Sequence, residues 1–321
     1  MQSILSVTVP FFALVLCGWL AARSRVLPEA AIPGLNAYVL YFALPCMLFR
    51  FGAGSPVAQV LDPLALALYA ACGLLVVALT IAITLRGGTN IKDAAFGALV
   101  AAFPNTGFMG MPLMTALLGA TAAAPMMVTL LVDMFITSSV CLALAQMHGN
   151  AHLPLGARLK LALAGPVRNP QPWAIALGAV FSAAAWSLPG PLARMVELLG
   201  ASATPVALFT IGAVLWRAGQ HAHTRTPARR FVPVALIKLF VHPALVFALG
   251  SALVALGAPL SAFTLTVLTL AAALPSASNV SLLAERWGAD NGRIARIIMS
   301  STALAFVSFS ALAWWFGARP A

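Results

Sequence analysis

The sequence predicts an all-α polytopic membrane protein of ten transmembrane helices. They form two five-helix repeats of opposite orientation, with breaks in helices four and nine. Three observations predict it. Apolar residues fill 62% of the 321 positions, charged residues 8%, and mean hydropathy is +0.98; a soluble domain carries about 25% charged residues. Apolar runs recur along the whole chain, each near the roughly 20 residues needed to cross the hydrocarbon core. Two of those runs carry Pro amid small polar residues at mid-span, Pro104 and Pro275. Proline there removes a backbone donor and clashes with the preceding turn.

The predicted spans are 3–22, 32–51, 63–85, 94–118, 122–147, 172–188, 201–216, 231–256, 259–284 and 292–316. The opening run lacks a basic n-region and a small-residue cleavage site, so the first span is expected to be retained. Connections are short, except the one from His148 to Asn169, which divides the spans five and five. The chain is therefore organised as a first repeat (1–147), a linker (148–171) and a second repeat (172–321).

Positive charge sets the orientation. With the N-terminus outside, fourteen basic residues face the cytoplasm, among them Arg23, Arg25, Arg86, Lys92, Arg217 and Arg230. Arg50, Arg194 and Arg319 lie on the other side. Cytoplasmic loops carry the excess of Lys and Arg, so both termini are expected outside. An odd number of spans per half then forces the halves into opposite orientation, the arrangement of an inverted repeat. Two pairs of prolines recur in order: Pro45 in span two with Pro205 in span seven, and Pro104 in span four with Pro275 in span nine. The spacing is 59 residues in one half and 70 in the other, and the longer basic loop from Arg217 to Arg230 accounts for the excess.

The residues beside the second proline pair carry the candidate chemistry. Pro104, Asn105, Thr106 and Gly107 stand in one span, and Pro275, Ser276, Ser278 and Asn279 in the other. A helix broken in lipid frees N–H and C=O groups that are costly unless they line a cavity or bind a ligand. Freed N–H groups at a half-helix N-terminus favour an anion. Two breaks in matching positions point to a substrate site at the bilayer midplane; ordinary kinks packed by Gly and Ser are the competing reading.

Asp133 and Lys238 are ionisable residues within spans, where a charge facing lipid costs several kcal/mol. Asp133, the deeper, is the candidate for proton coupling, and Lys238 for an attractive charge near the anion path. Lys238 lies about two turns into its span, within snorkelling reach of the interface. His242, one turn on, reads as a packing histidine. Glu285, Arg286, Asp290, Arg293 and Arg296 read as a solvated, mutually paired loop without chemistry. His221 and His223 offer too few ligands at that spacing for a metal site. The four cysteines stand singly in apolar runs, unlike a metal cluster or a disulfide framework. No metal and no cofactor are expected. The net charge of +11 lies in loops rather than in a nucleic-acid groove. The motifs of ATP-driven transport, of zinc hydrolases and of serine hydrolases are absent from the sequence, so an enzyme is not expected.

FPNTGFMGMPL from Phe103, LPSASNVSLLAERWGAD from Leu274, ATPVALFTIGAVL from Ala203 and LIKLFVHP from Leu236 resemble the auxin efflux carrier family. This family includes bacterial malonate and malate carriers and plant PIN-type exporters. The resemblance implies ten helices, similar to the sodium–bile acid transporters. Spans four and nine would cross as broken helices in a moving transport domain built from spans 3–5 and 8–10. Spans 1, 2, 6 and 7 would form the scaffold, which also offers a homodimer contact. By position, Pro104, Asn105, Thr106, Pro275, Ser276 and Asn279 would line the substrate site. The expected function is a secondary transporter moving small organic anions, carboxylates or auxin-like acids, across the inner membrane by elevator-like alternating access. A sodium- or proton-coupled symporter of the bile acid type is the alternative, and a membrane ligand receptor a further one. The sequence shows no acidic cluster of the kind that would hold two sodium ions.

Overall fold

The computed structural model describes residues 2–146, 167, 169–220 and 226–318. Among the described residues there is no strand, and helices follow one another from end to end. They are α1 (Gln2–Arg23), α2 (Glu29–Ala53), α3 (Pro63–Arg86), α4 (Ile91–Ala102), α5 (Thr106–Leu118) and α6 (Ala120–Gln146). After the expected linker come α7 (Pro170–Ala183), α8 (Gly190–Gln220), α9 (Val232–Ala255), α10 (Ala262–Ala272), α11 (Asn279–Arg286) and α12 (Asn291–Trp315). Most of the expected linker, with His148, His152, Arg158, Lys160 and Arg168, lies outside the described residues, as do His221, His223, Arg225 and Arg319.

Among the described residues, seven helical stretches are long and apolar enough to cross a membrane: those of α1, α2, α3, α6, α8, α9 and α12. The other three predicted spans are shorter. Span six is the 14-residue α7. Span four is divided between α4 and α5, and span nine between α10 and α11. Span seven is longer than predicted: α8 begins at Gly190, eleven residues before the apolar run. Arg194 and Glu197 form an exposed ion pair of 2.7 Å on its first turns, so helix continues where hydropathy falls.

Local chemistry sets the starts. Asp62 accepts hydrogen bonds from the N–H groups of Leu64 (2.9 Å) and Ala65 (3.2 Å), with Pro63 in the first helical position of α3. Asn90, Asn169, Ser261 and Asp290 cap α4, α7, α10 and α12 in the same way.

Two helix pairs are packed backbone to backbone. A Cβ on Gly18 of α1 would lie 1.8 Å from the Phe209 carbonyl oxygen of α8, and one on Gly212 of α8 would lie 1.9 Å from that of Val15 in α1. Gly52 of α2 and Gly178 of α7 meet likewise: their Cβ atoms would stand 3.0 Å from the Ile175 oxygen and 2.5 Å from the Phe49 oxygen. Small residues allow this approach, and it supplies the dispersion contacts that hold helices together in lipid. On the other side of the molecule, α4 is buried on every face from Ala94 to Ala102, an Ala- and Gly-rich rod enclosed by its neighbours.

The charged group near the α11–α12 turn departs from the expected solvated loop. Arg293 is 2% exposed. Its Nε donates to the Arg230 carbonyl (2.9 Å) and its Nη1 to the Asp93 carbonyl (3.0 Å). Asp93 in turn accepts from the Asp290 N–H at 2.8 Å, so the starts of α4, α9 and α12 are tied together. Gly97 makes room: a Cβ there would lie 3.0 Å from the guanidinium. Glu285 faces away from this group toward Arg217 of α8, at 3.9 Å. Replacing Arg293 by Ala strands these acceptors and is expected to cost about 3 kcal/mol or more. Arg286→Ala, at an exposed position, should stay within about 0.5 kcal/mol. Thermal unfolding in detergent separates the two.

Candidate functional site

Helical structure is interrupted around Pro104 and around Pro275, and backbone contacts join the two segments. Helix α4 stops at Ala102; Phe103 is extended (φ −96°, ψ 100°) and Asn105 is non-helical (φ −78°, ψ 56°) before α5 begins. In the second half α10 ends at Ala272 and α11 starts at Asn279. Pro104 and Ser276 form an isolated antiparallel bridge. The Asn105 N–H donates to the Pro275 carbonyl (2.8 Å) and the Ala277 N–H to the Phe103 carbonyl (3.0 Å). Two backbone groups that proline would leave costly in an apolar interior are thus satisfied across the gap. The Ser276 N–H donates to the hydroxyl of buried Ser301 in α12 at 3.2 Å.

The side chains here are neutral, polar and deeply buried. Asn105 is 3% exposed, Thr106 0% and Ser276 1%; Ser278 is also buried, and Asn279 is partly so. Thr106 Oγ1, Ser276 Oγ and Asn279 Oδ1 have no hydrogen-bond partner. Unpaired buried polar atoms cost about 1–3 kcal/mol each, so each needs a reason. Pro104 and Asn105 of the first half come together with Pro275 and Ser276 of the second, whereas Gly107 faces Gln171, Leu130 and Leu44. Gly110 shapes the junction: a Cβ would collide with Leu274 at 2.4 Å and Met126 at 2.8 Å. Ser281, by contrast, donates to Asn291 at 2.7 Å and belongs to the α11–α12 turn.

One polar residue at the junction was not singled out from the sequence. Gln171, 3% exposed on the first turn of α7, has its Oε1 3.7 Å from where a Cβ on Gly107 would stand. Its apolar neighbours in sequence hid it. The usable signal was its place between Pro170 and Pro172 at a helix start.

Asp133 and Lys238 form a second buried group. Both lie in π-helical turns, Asp133–Thr137 and Ile237–Val241, and such turns mark functional sites with some frequency. Lys238 does not snorkel: it is 0% exposed, donates to the Ala272 carbonyl at 2.5 Å and lies 3.5 Å from His242 Nδ1. Its ammonium therefore meets the C-terminal end of α10, where helix carbonyls carry partial negative charge. Asp133 is likewise 0% exposed. Thr137 donates to Asp133 Oδ1 at 3.4 Å. The Tyr69 and His242 rings are 5.6 Å apart, and Asp133 Oδ2, Tyr69 OH and His242 Nε2 lack partners. His242 is thus part of a polar cluster rather than plain packing.

The membrane transport protein family matches this chain over residues 3–313. The chain is also similar to a protein of Rhizobium meliloti (strain 1021) bearing the name “Putative malonate transporter”. The two are 28% identical over 333 residues, covering 100% of this chain and 99% of that protein. An all-helical chain with seven apolar helices of membrane-crossing length agrees with that assignment. The chain therefore belongs to the auxin efflux carrier family of membrane transport proteins, and is a multi-pass membrane transporter and not an enzyme.

Proposed function

We propose that the protein is a secondary transporter for small organic anions, with the carboxylate held where the α4–α5 and α10–α11 breaks meet. The observation that carries this reading is the pair of buried, unpartnered hydroxyls, Thr106 Oγ1 and Ser276 Oγ, in the segments that meet at the Pro104–Ser276 bridge. Hydroxyl and amide donors, with first-turn N–H groups of α5 and α11, suit an anion in a site without a fixed charge. Pro104, Asn105, Thr106 and Gly107 supply one side of the site; Pro275, Ser276, Ser278 and Asn279 supply the other. The similar Rhizobium protein's name makes malonate the first acid to try.

The repeat supports alternating access. In a five-plus-five duplication span one corresponds to span six, and span two to span seven. The backbone-close pair α1–α8 (spans one and seven) then maps onto α7–α2 (spans six and two), and reciprocal glycines mark both. In this reading α1, α2, α7 and α8 are the scaffold, which offers the homodimer contact. The helices of spans 3–5 and 8–10 are the transport domain that moves past it as an elevator. In this reading the protein sits in the inner membrane, and the charge bias supports both termini outside.

Electrical driving suffices for export. A monoanion leaving a negative interior gains about 2.3 kcal/mol per 100 mV, roughly fifty-fold in concentration. Uptake needs a coupled cation, and Asp133 with Lys238 is the candidate coupling group; their burial favours a proton-coupled symporter as the second reading. Liposomes holding the purified protein, with potential set by potassium and valinomycin, decide. Labelled malonate flux should saturate and follow the potential. Asn105→Ala and Asn279→Ala should each cut it about tenfold or more, as loss of a charge-assisted hydrogen bond implies. Intact protein that moves no carboxylate would sink the reading.

A further inference from the structure

We infer that Gln171 is the residue that selects among organic acids at this site, by pairing with a neutral, protonated second carboxyl group. The inference rests on the proposed anion site and names the substrate more closely: the monoanion of a short dicarboxylic acid.

Gln171 comes from α7, outside the two broken segments. Its backbone is fixed: the Asn169 side chain accepts from the Gln171 N–H at 2.9 Å, and prolines precede and follow it. The residue as a whole is 3% exposed, and among the described residues its hydrogen bond is the backbone one to Asn169. Its Oε1 stands beside Gly107, 3.7 Å from a Cβ position that glycine leaves clear. The residue before that glycine, Thr106, carries a buried hydroxyl without a partner. A largely enclosed primary amide set beside the polar junction is placed to bind a ligand that fits its acceptor and its donors together.

The chemistry of the amide chooses that ligand. An amide offers one acceptor and a pair of N–H donors. A protonated carboxyl offers an O–H donor and a C=O acceptor, so the two close a ring of two hydrogen bonds. A carboxylate offers acceptors alone and would set its charge against Oε1. Among the described residues the buried cations are engaged elsewhere, Lys238 with the Ala272 carbonyl and Arg293 with those of Arg230 and Asp93. The ionised carboxylate of the substrate is then left to Asn105, Thr106, Ser276 and Asn279, and a single negative charge crosses per turnover.

The test compares labelled malonate with labelled butyrate, which has one carboxylate and no second acid group, in proteoliposomes of wild type and Gln171→Leu. Replacing this buried amide by an apolar group of similar size should leave folding intact. Gln171→Leu is expected to raise KM for malonate about tenfold, the loss of two neutral hydrogen bonds, with kcat unchanged. Its KM for butyrate should not move. In wild type at equal pH, a 100 mV potential should hold a malonate gradient of about fifty-fold, the value for one charge. Gln171→Glu should recover malonate affinity as pH falls and its own carboxyl becomes protonated. Equal changes in KM for both acids, or no change for malonate, would overturn the role of Gln171 while leaving the anion site standing. A gradient near the square of fifty would overturn transport as the monoanion. Absence of saturable flux for either acid in wild type would instead remove the site reading on which the inference depends.

Discussion

Gly18→Ala and Gly212→Ala are each expected to abolish folded, transport-competent protein. The added methyl would stand 1.8 Å from the Phe209 carbonyl oxygen in one case and 1.9 Å from that of Val15 in the other. Carbon atoms at best contact lie about 3.5–4.0 Å apart, and backbone cannot swing aside as a side chain can. Helices α1 and α8 would therefore have to separate along their shared face, losing contacts well beyond the mutated residue. Overpacking a core costs about 1–3 kcal/mol when side chains can adjust, and here they cannot, so the expected loss lies at or above that range. Gly250→Ala is the graded comparison: its methyl meets a side chain, Leu265 Cδ1, at 2.2 Å, which can yield. Gly34→Ala and Gly190→Ala, with nothing within 4 Å, should be neutral. Size-exclusion profiles after graded heating rank the five variants, and a stable Gly212→Ala protein would show that α1 and α8 are not packed this way.

The second large effect is expected at Lys238. Lys238→Met removes a fully buried amine that donates to the Ala272 carbonyl and lies beside His242, in the same enclosed polar region as Asp133. Removing one buried ionisable group while another stays uncompensated costs about 3 kcal/mol or more, whereas neutralising both is often tolerated. Lys238→Met alone should therefore fold poorly, and Lys238→Met with Asp133→Asn should recover. Tyr69 and Lys238 are the titratable groups coupled to Asp133, with Cys72 next to Tyr69 and His242 next to Lys238. If Asp133 carries the coupling proton, the folded double variant transports on membrane potential alone and ignores an imposed pH gradient. A double variant that folds no better than Lys238→Met would mean that the two residues act separately.

The sequence resolved what depends on composition and on proline. The long spans follow the apolar runs because the lipid-facing surface must be apolar for a whole crossing. The breaks at Pro104 and Pro275 were legible because Asn, Thr, Gly and Ser follow them, residues that compete with helix through their own backbone bonds. Pro205 is followed by Val-Ala-Leu-Phe, and α8 runs straight through it. Hydropathy missed the start of α8, since an exposed Arg194–Glu197 pair supports helix without apolar residues. It also misplaced Arg293 among solvated charges, because burial of a guanidinium depends on carbonyls from α4 and α9 that are remote in sequence. The π-helical turns at Asp133 and Lys238 follow no residue pattern in their own segments. Gln171 was hidden for the same reason as Arg293: its meaning lies in Gly107, which is 64 residues away in the chain.

The seam between Phe103–Asn105 and Pro275–Ala277 is made of main-chain atoms. Any amino acid in those places that tolerates the extended backbone would preserve the two hydrogen bonds. Mechanical integrity and chemical taste are thereby uncoupled: the crossing can be re-tailored for another acid, residue by residue, without unpicking the stitch that holds it closed. A library varying Asn105, Thr106, Ser276 and Ser278 should accordingly yield many folded proteins with altered preferences, which makes this junction a chassis for new carriers.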